Sequence, residues 1–167
     1  MKPGIFYWTA LLSFMPISEL RGAIPFAMAN DIPWYLAFPF ATAVNILIAP
    51  VCWIFLSTLH LFLMKLAEKP LFAWYKKLFD FVIERARNKL RSRVEKYGWL
   101  GLVVFTAIPL PFTGAWTATL GAWILGFSRK RTMLAVVLGL VIAGIIVTSV
   151  VLLGIKTLSI FTKNVQI

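Results

Sequence analysis

Two stretches of this sequence are strongly apolar yet too short to cross a bilayer, and proline and charge separate them. Residues 4–17 number fourteen and residues 23–29 only seven, whereas a hydrocarbon core about 30 Å thick takes about 20 helical residues. Between them stand Ser18, Glu19, Arg21 and Gly22, with Pro16 and Pro25 on either side. Charge at membrane depth is costly, so an ionisable residue there marks a functional site by default. The prolines and the glycine argue against one continuous helix through the charges. The two runs therefore suit a re-entrant hairpin over 4–29. Its non-helical tip is tolerated only where protein buries it or a wet cavity receives it.

Composition places that hairpin in a membrane. Of 167 residues 60% are hydrophobic and the mean hydropathy is +0.86, which leaves residues 1–167 as a single membrane domain with no separate soluble one. Lys2, the apolar run from Ile5 and Ala27-Met28-Ala29 imitate a signal peptide, but Glu19 and Arg21 interrupt the pattern. A single cysteine, Cys52, excludes an intrachain disulfide and a multi-cysteine metal site. The lone histidine, His60, reads as an interfacial residue near the end of an apolar segment. No catalytic triad, metal-ligand cluster or phosphate-cradling glycine loop is present, so neither an enzyme nor a cofactor is expected.

The rest of the chain repeats the opening plan. Residues 34–64 form a long apolar run with Pro39 and Pro50 inside it, long enough to cross the membrane with tilt or kink. Ala37, Ala41, Asn45 and Ala49 recur every four residues, a stripe that lets another backbone approach. Asn45 on that stripe could bond the free backbone groups of a broken hairpin. Residues 65–96 hold ten Lys/Arg against four acids, with Leu71, Trp74, Tyr75, Leu78 and Val82 at helical spacing. They read as a basic amphipathic helix on anionic lipid headgroups rather than as a nucleic-acid module.

Residues 97–127 resemble a second hairpin, broken at Pro109 and Pro111 and followed by Thr113, Gly114, Ala115 and a stripe of Gly114, Ala118, Ala122 and Gly126. Ser128-Arg129-Lys130-Arg131 reads as a short basic loop. Residues 132–155 read as a spanning helix whose Ala135, Gly139 and Ala143 form a packing stripe, and 156–167 as a tail.

Charge then tests topology. If 97–127 simply crossed, the 128–131 and 65–96 blocks would lie on opposite sides, against the positive-inside rule. With 97–127 re-entrant, thirteen of the seventeen basic residues share the cytoplasmic side. The expected fold is an all-α integral membrane protein of two inverted repeats, 1–64 and 97–155. Each has a re-entrant hairpin and a transmembrane helix, with both termini outside a multi-pass cell-membrane protein.

The residues Glu19-Leu20-Arg21-Gly22-Ala23-Ile24-Pro25 and Pro109-Leu110-Pro111-Phe112-Thr113-Gly114-Ala115-Trp116 resemble the small multidrug export family, relatives of the DedA/VTT membrane proteins. The order of segments agrees along nearly the whole chain. The resemblance implies two opposed re-entrant hairpins and a carboxylate–arginine site. It also implies relatives that move lipids, including polyprenyl phosphates, or confer proton-dependent resistance.

At an unwound tip Glu19 and Arg21 could both face a cavity. Arg21 offers five donors in a planar fork suited to phosphate, and broken-helix N-termini add N–H groups and positive potential. Ser18, Thr113, Thr117 and the backbone at Gly22 and Gly114 complete the candidate binding set, together with Asn45. Glu19 is the candidate for proton coupling. The leading expectation is a transporter or flippase of an amphipathic anionic lipid, with a homodimer through Ala135, Gly139 and Ala143. A proton-coupled exporter of lipophilic cations and a non-transporting scaffold are the alternatives. In the scaffold Glu19 and Arg21 only pair, and Trp8, Trp34, Trp99, Trp116 and Trp123 only pack or sit at interfaces.

Overall fold

A computed structural model describes residues 3–66, 81, 98–110 and 113–163, with side chains through 155. Most of the expected basic helix over 65–96, together with Pro111 and Phe112, lies outside the described residues. The described chain is all helical, with α1 Pro3–Phe14, α2 Glu19–Ala29, α3 Trp34–Leu66, α4 Gly98–Ala107, α5 Ala115–Ile124 and α6 Arg129–Lys163.

The helices fall into two length classes. The four members of the hairpins have 10 to 12 residues, about 15–18 Å at 1.5 Å per residue. Helices α3 and α6 have 33 and 35 residues, about 50 Å each. The segments Trp34–Leu66 and Arg129–Ile155 are long and apolar enough to cross a membrane. Leu47, Phe55, Leu134 and Val150 on them stay exposed, which suits a surface meeting lipid.

Each hairpin folds back so that its two ends lie together. Phe6 near the start of α1 meets Phe40 near the start of α3, edge to face at 5.1 Å. Ile5 and Phe6 also pack on Ala27, Ile32 and Ala37. In the second hairpin the Trp99 indole N–H donates to the Arg131 carbonyl at 3.0 Å, bringing the start of α4 beside the start of α6.

The same turn closes both hairpins. Helix α2 ends with Asp31 in the left-handed region at φ 65°. The amides of Ile32 and Asp31 reach back to the Ala27 and Met28 carbonyls. Helix α5 ends with Gly126 at φ 76°, and the amides of Phe127 and Gly126 reach the Ala122 and Trp123 carbonyls. These are two Schellman caps, which satisfy helix-end carbonyls by reversing the chain. Pro33 follows the first, and α3 starts at once, as the Asn30-Asp31-Ile32-Pro33 turn predicts.

Small residues decide how closely the layers stack. Ala37, Ala41, Asn45 and Ala49 are all buried on α3, as their spacing predicts. Ala135, Gly139 and Ala143 of α6 are buried within the chain as well. A Cβ on Gly139 would lie 2.5 Å from the Thr106 Cβ and 2.8 Å from the Val103 carbonyl of α4. That stripe is an internal seam, so the expectation that it joins two copies is corrected.

Four further expectations change. The first hairpin breaks at residues 15–18, not around the charges. Glu19, Arg21 and Gly22 open α2, which continues through Pro25. Proline is tolerated there because only the Arg21 carbonyl, four residues back, loses its donor. Arg129, Lys130 and Arg131 form the first turn of α6 rather than a loop, since Ser128 starts the helix with its carbonyl bonded to the Thr132 amide at 3.0 Å. Helix α6 also runs to Lys163, into the expected tail. Gly126 is the exposed left-handed cap, not a member of the buried Gly114, Ala118, Ala122 stripe.

Candidate functional site

The site forms where the two hairpin tips meet. Helix α1 stops at Phe14 because Pro16 cannot donate to the carbonyl of Leu12. The next two carbonyls then find donors from outside the hairpin. The Asn45 side-chain amide of α3 donates to the Ser13 carbonyl at 2.9 Å, fully buried. The Trp116 indole N–H of α5 donates to the Phe14 carbonyl at 2.9 Å, and its ring meets Phe14 edge to face at 5.4 Å. The bond expected from Asn45 to a broken hairpin is therefore made, which places Asn45 as a strut of the tip.

Chain direction then changes through Glu19, whose φ of 43° is unusual for a residue with a Cβ. This backbone carries the carboxylate across to the other hairpin. Glu19 is 4% exposed, and its carboxylate accepts hydrogen bonds from the backbone amides of Trp116 and Ala115. Those are the first two residues of α5. A helix N-terminus has unpaired amides and a partial positive charge, so Glu19 caps α5 from a distance of almost a hundred residues in sequence.

Gly114 makes the contact possible. Its φ of 155° and ψ of −162° belong to a region essentially restricted to glycine. A Cβ there would collide with the Glu19 carboxylate. Gly114 thus serves both the turn and the space. The loop before it is tied by Thr113, whose hydroxyl lies 2.5 Å from the Ile108 carbonyl, 2.8 Å from the Leu110 carbonyl and 3.1 Å from the Leu110 amide.

Arg21 sits one helical step further and completes the electrostatics. Its charge acts on Glu19, while Nη2 makes a long 3.4 Å contact to the Thr113 carbonyl. Nη1 is shut from solvent and has no hydrogen-bond partner among the described residues. Glu19, Arg21 and Thr113 line one small cavity with Leu20, Thr106, Ile108, Pro109, Leu140 and Ala143. Its free volume, about 10 Å³, admits about one water molecule.

The other expected residues spread around this centre. Ser18 packs its side chain against Gly22 one turn on, so Gly22 is a helical packing position rather than an open backbone surface. Thr117 has a buried hydroxyl with no partner among the described residues, but it does not line the cavity. His60 stacks edge to face on Trp123 at 5.4 Å, between α3 and the end of α5. Sequence reasoning missed Trp116, Ala115 and Thr106 as site-forming residues. The signal for the first two was their place directly after Gly114; Thr106 carried none.

Two hairpins of half-length helices, two helices long and apolar enough to cross a membrane, and a buried carboxylate beside a partly buried arginine between the tips are the features of a helical membrane protein. A family model described as "Putative small multi-drug export protein" matches residues 19–146. The chain belongs to this family, and the match begins at Glu19 itself. No curated protein and no solved structure matches the chain.

Proposed function

We propose that this protein is a multi-pass membrane transporter for an amphipathic anion, a polyprenyl phosphate or phospholipid being the chemical type. The observation that carries the reading is the set of donors between the tips. The α5 amides and Arg21 form an anion site that currently holds the protein's own Glu19, and Arg21 Nη1 is a spare donor beside it. An arginine fork and a helix N-terminus together suit phosphate. With about 10 Å³ free, a headgroup enters only when Glu19 leaves α5 and the tips part. Taking up a proton would release the carboxylate, which gives Glu19 a coupling role. Phe14, Met15 and Ile17 at the tip are exposed, Ile17 by 78%, so an acyl or prenyl tail can remain in the bilayer.

In this reading both hairpins are re-entrant, enter from opposite sides and form inverted repeats, with the 65–96 and 128–131 basic segments cytoplasmic and both termini outside. Asp31 and Gly126 lie 95 residues apart. The same offset relates Pro16 to Pro111, Ser18 to Thr113, Glu19 to Gly114, Ala23 to Ala118 and Ala27 to Ala122, which supports the repeat.

The family's description favours a second reading, export of lipophilic cations with Glu19 as their counter-ion. Arg21 and the α5 N-terminus oppose a cation at that point. Proteoliposomes carrying wild type or Arg21→Ala, given a short-chain polyprenyl phosphate or a lipophilic cation with and without a pH gradient, separate the two. Phosphate movement abolished by the substitution supports the anion reading. Cation export that survives it supports the second. Glu19→Gln with unchanged, pH-sensitive transport would remove Glu19 from proton coupling, and no movement of either compound by the folded wild-type protein would leave the non-transporting scaffold.

A further inference from the structure

One wall of the cavity between the tips has no part yet in holding an anion. Arg21 and the α5 amides approach from the tips. Two hydroxyl-bearing residues also line the cavity, Thr106 of α4 and Thr113 of the loop before α5.

Their hydroxyls are not equally available. A hydroxyl has one hydrogen to donate. That of Thr113 lies among the Ile108 carbonyl, the Leu110 carbonyl and the Leu110 amide. Turning it to a ligand would undo the loop that presents Gly114 to Glu19. The Thr106 hydroxyl donates at 2.8 Å to the Leu102 carbonyl, four residues back in α4. The helix already pairs that carbonyl with the Thr106 amide, so the back-bond is a small addition that can be given up. Thr9, Thr132 and Thr148 make the same bond within their own helices, but none of these three lines the cavity.

Thr106 is also held in place. It is buried, and its Cβ and Cγ2 lie against Gly139 of α6, where no further carbon has room. With the methyl turned to α6, the hydroxyl is the polar edge left to the cavity. Its O–H can swing from Leu102 to an anion by rotating about its own C–O bond, with no heavy atom displaced. A charged acceptor attracts that hydrogen more strongly than a neutral carbonyl does.

We propose that Thr106 binds the headgroup and that its hydroxyl selects a phosphate monoester over a carboxylate. This assignment deepens the anion reading and rests on it. A phosphate monoester presents three acceptor oxygens in three directions, whereas a carboxylate presents two in one plane. The Arg21 fork and the α5 amides come from the tips and meet two of them. The third is met by Thr106 from the α4 wall, which stays seated on α6 when the tips part. A carboxylate has no oxygen for that wall, and Thr106 then keeps its bond to Leu102.

The test is equilibrium binding of a short-chain polyprenyl phosphate, and of a fatty acid of similar chain length, to the purified full chain in a non-ionic detergent. Thr106→Val keeps the branched shape against Gly139 and loses only the donor, so its Tm should stay close to wild type. It should bind the phosphate at least about tenfold weaker and the fatty acid as wild type does. Thr106→Ser keeps the hydroxyl and should bind both close to wild type. Thr148→Val loses the same kind of back-bond away from the cavity and should also bind both as wild type. Wild-type affinity of Thr106→Val for the phosphate, an equal loss for both ligands, or the same loss in Thr106→Ser would overturn the role of Thr106 and leave the anion site standing. No phosphate binding by folded wild type, or undiminished binding by Arg21→Ala, would overturn the anion site and Thr106 with it.

Discussion

The two hairpins are built to one plan and differ at the point where they touch. Each has two short helices around a proline-containing break, and each closes with a Schellman cap, at Asp31 in one and Gly126 in the other. At the start of the second helix stand Glu19, the first residue of α2, and Gly114, the residue before α5, both with positive φ. The first hairpin extends a side chain there. The second offers two backbone amides and the absence of a Cβ. If the hairpins are related by a pseudo-two-fold, these positions face each other close to the axis, where two side chains cannot both fit. Two hairpins can thus share their turns and still differ where they touch, and the differing pair here is Glu19 and Gly114.

That contrast can be broken most strongly at Gly114. Gly114→Ala adds a Cβ in a glycine-only conformation and drives it into the Glu19 carboxylate; a loss of about 3 kcal/mol is expected in mixed-micelle unfolding. In a Glu19→Gly background the same change should cost about 1 kcal/mol less, because the collision is gone and only the strained φ remains. Equal costs in both backgrounds would mean that the tips do not meet as described.

Next in size is the strut under the first tip. Asn45→Leu removes the donor from the buried Ser13 carbonyl and should cost about 2 kcal/mol in the same assay. Trp116→Phe keeps an aromatic ring against Phe14 but removes the bond to its carbonyl; about 1 kcal/mol is expected. A larger loss for Trp116→Phe than for Asn45→Leu would reverse the ranking of buried and exposed struts.

The smallest effects belong to the caps, where the hairpins are alike. Gly126→Ala should cost about 1 kcal/mol for a Cβ in the left-handed region. Asp31→Gly should gain a few tenths of a kcal/mol, since glycine suits that position better. Opposite signs from the same structural place would confirm that the two turns are equivalent and only their residues differ.

Much of this was legible in the sequence, for identifiable reasons. Apolar runs too short to span, broken by Pro16 and by Pro109 with Pro111, announced both hairpins. The stripe at Ala37, Ala41, Asn45 and Ala49 announced a buried face. Boundaries near Glu19 were harder, because Gly22 and Pro25 look like helix breakers and yet lie in α2. The hand-over of Glu19 to α5 left no trace in either local pattern. It is a contact between distant segments, signalled only by a glycine whose reason is the other residue's side chain. Gly126 fits a packing stripe as well as it fits a cap, because glycine serves close contacts and caps alike and spacing cannot separate the two. Ala135, Gly139 and Ala143 face inward because α4 is short and lies against them, which their own spacing does not reveal.

The central claim is that Glu19 occupies an anion site belonging to the substrate. Equilibrium binding of a short-chain polyprenyl phosphate to the purified protein in detergent tests it, for wild type, Glu19→Gln and Arg21→Ala. Competition predicts changes of opposite sign. Glu19→Gln should bind at least about tenfold tighter, because the competing charge is gone, and Arg21→Ala at least about tenfold weaker, each step of ten being about 1.4 kcal/mol. Weaker binding by Glu19→Gln, or wild-type affinity in Arg21→Ala, would contradict the account.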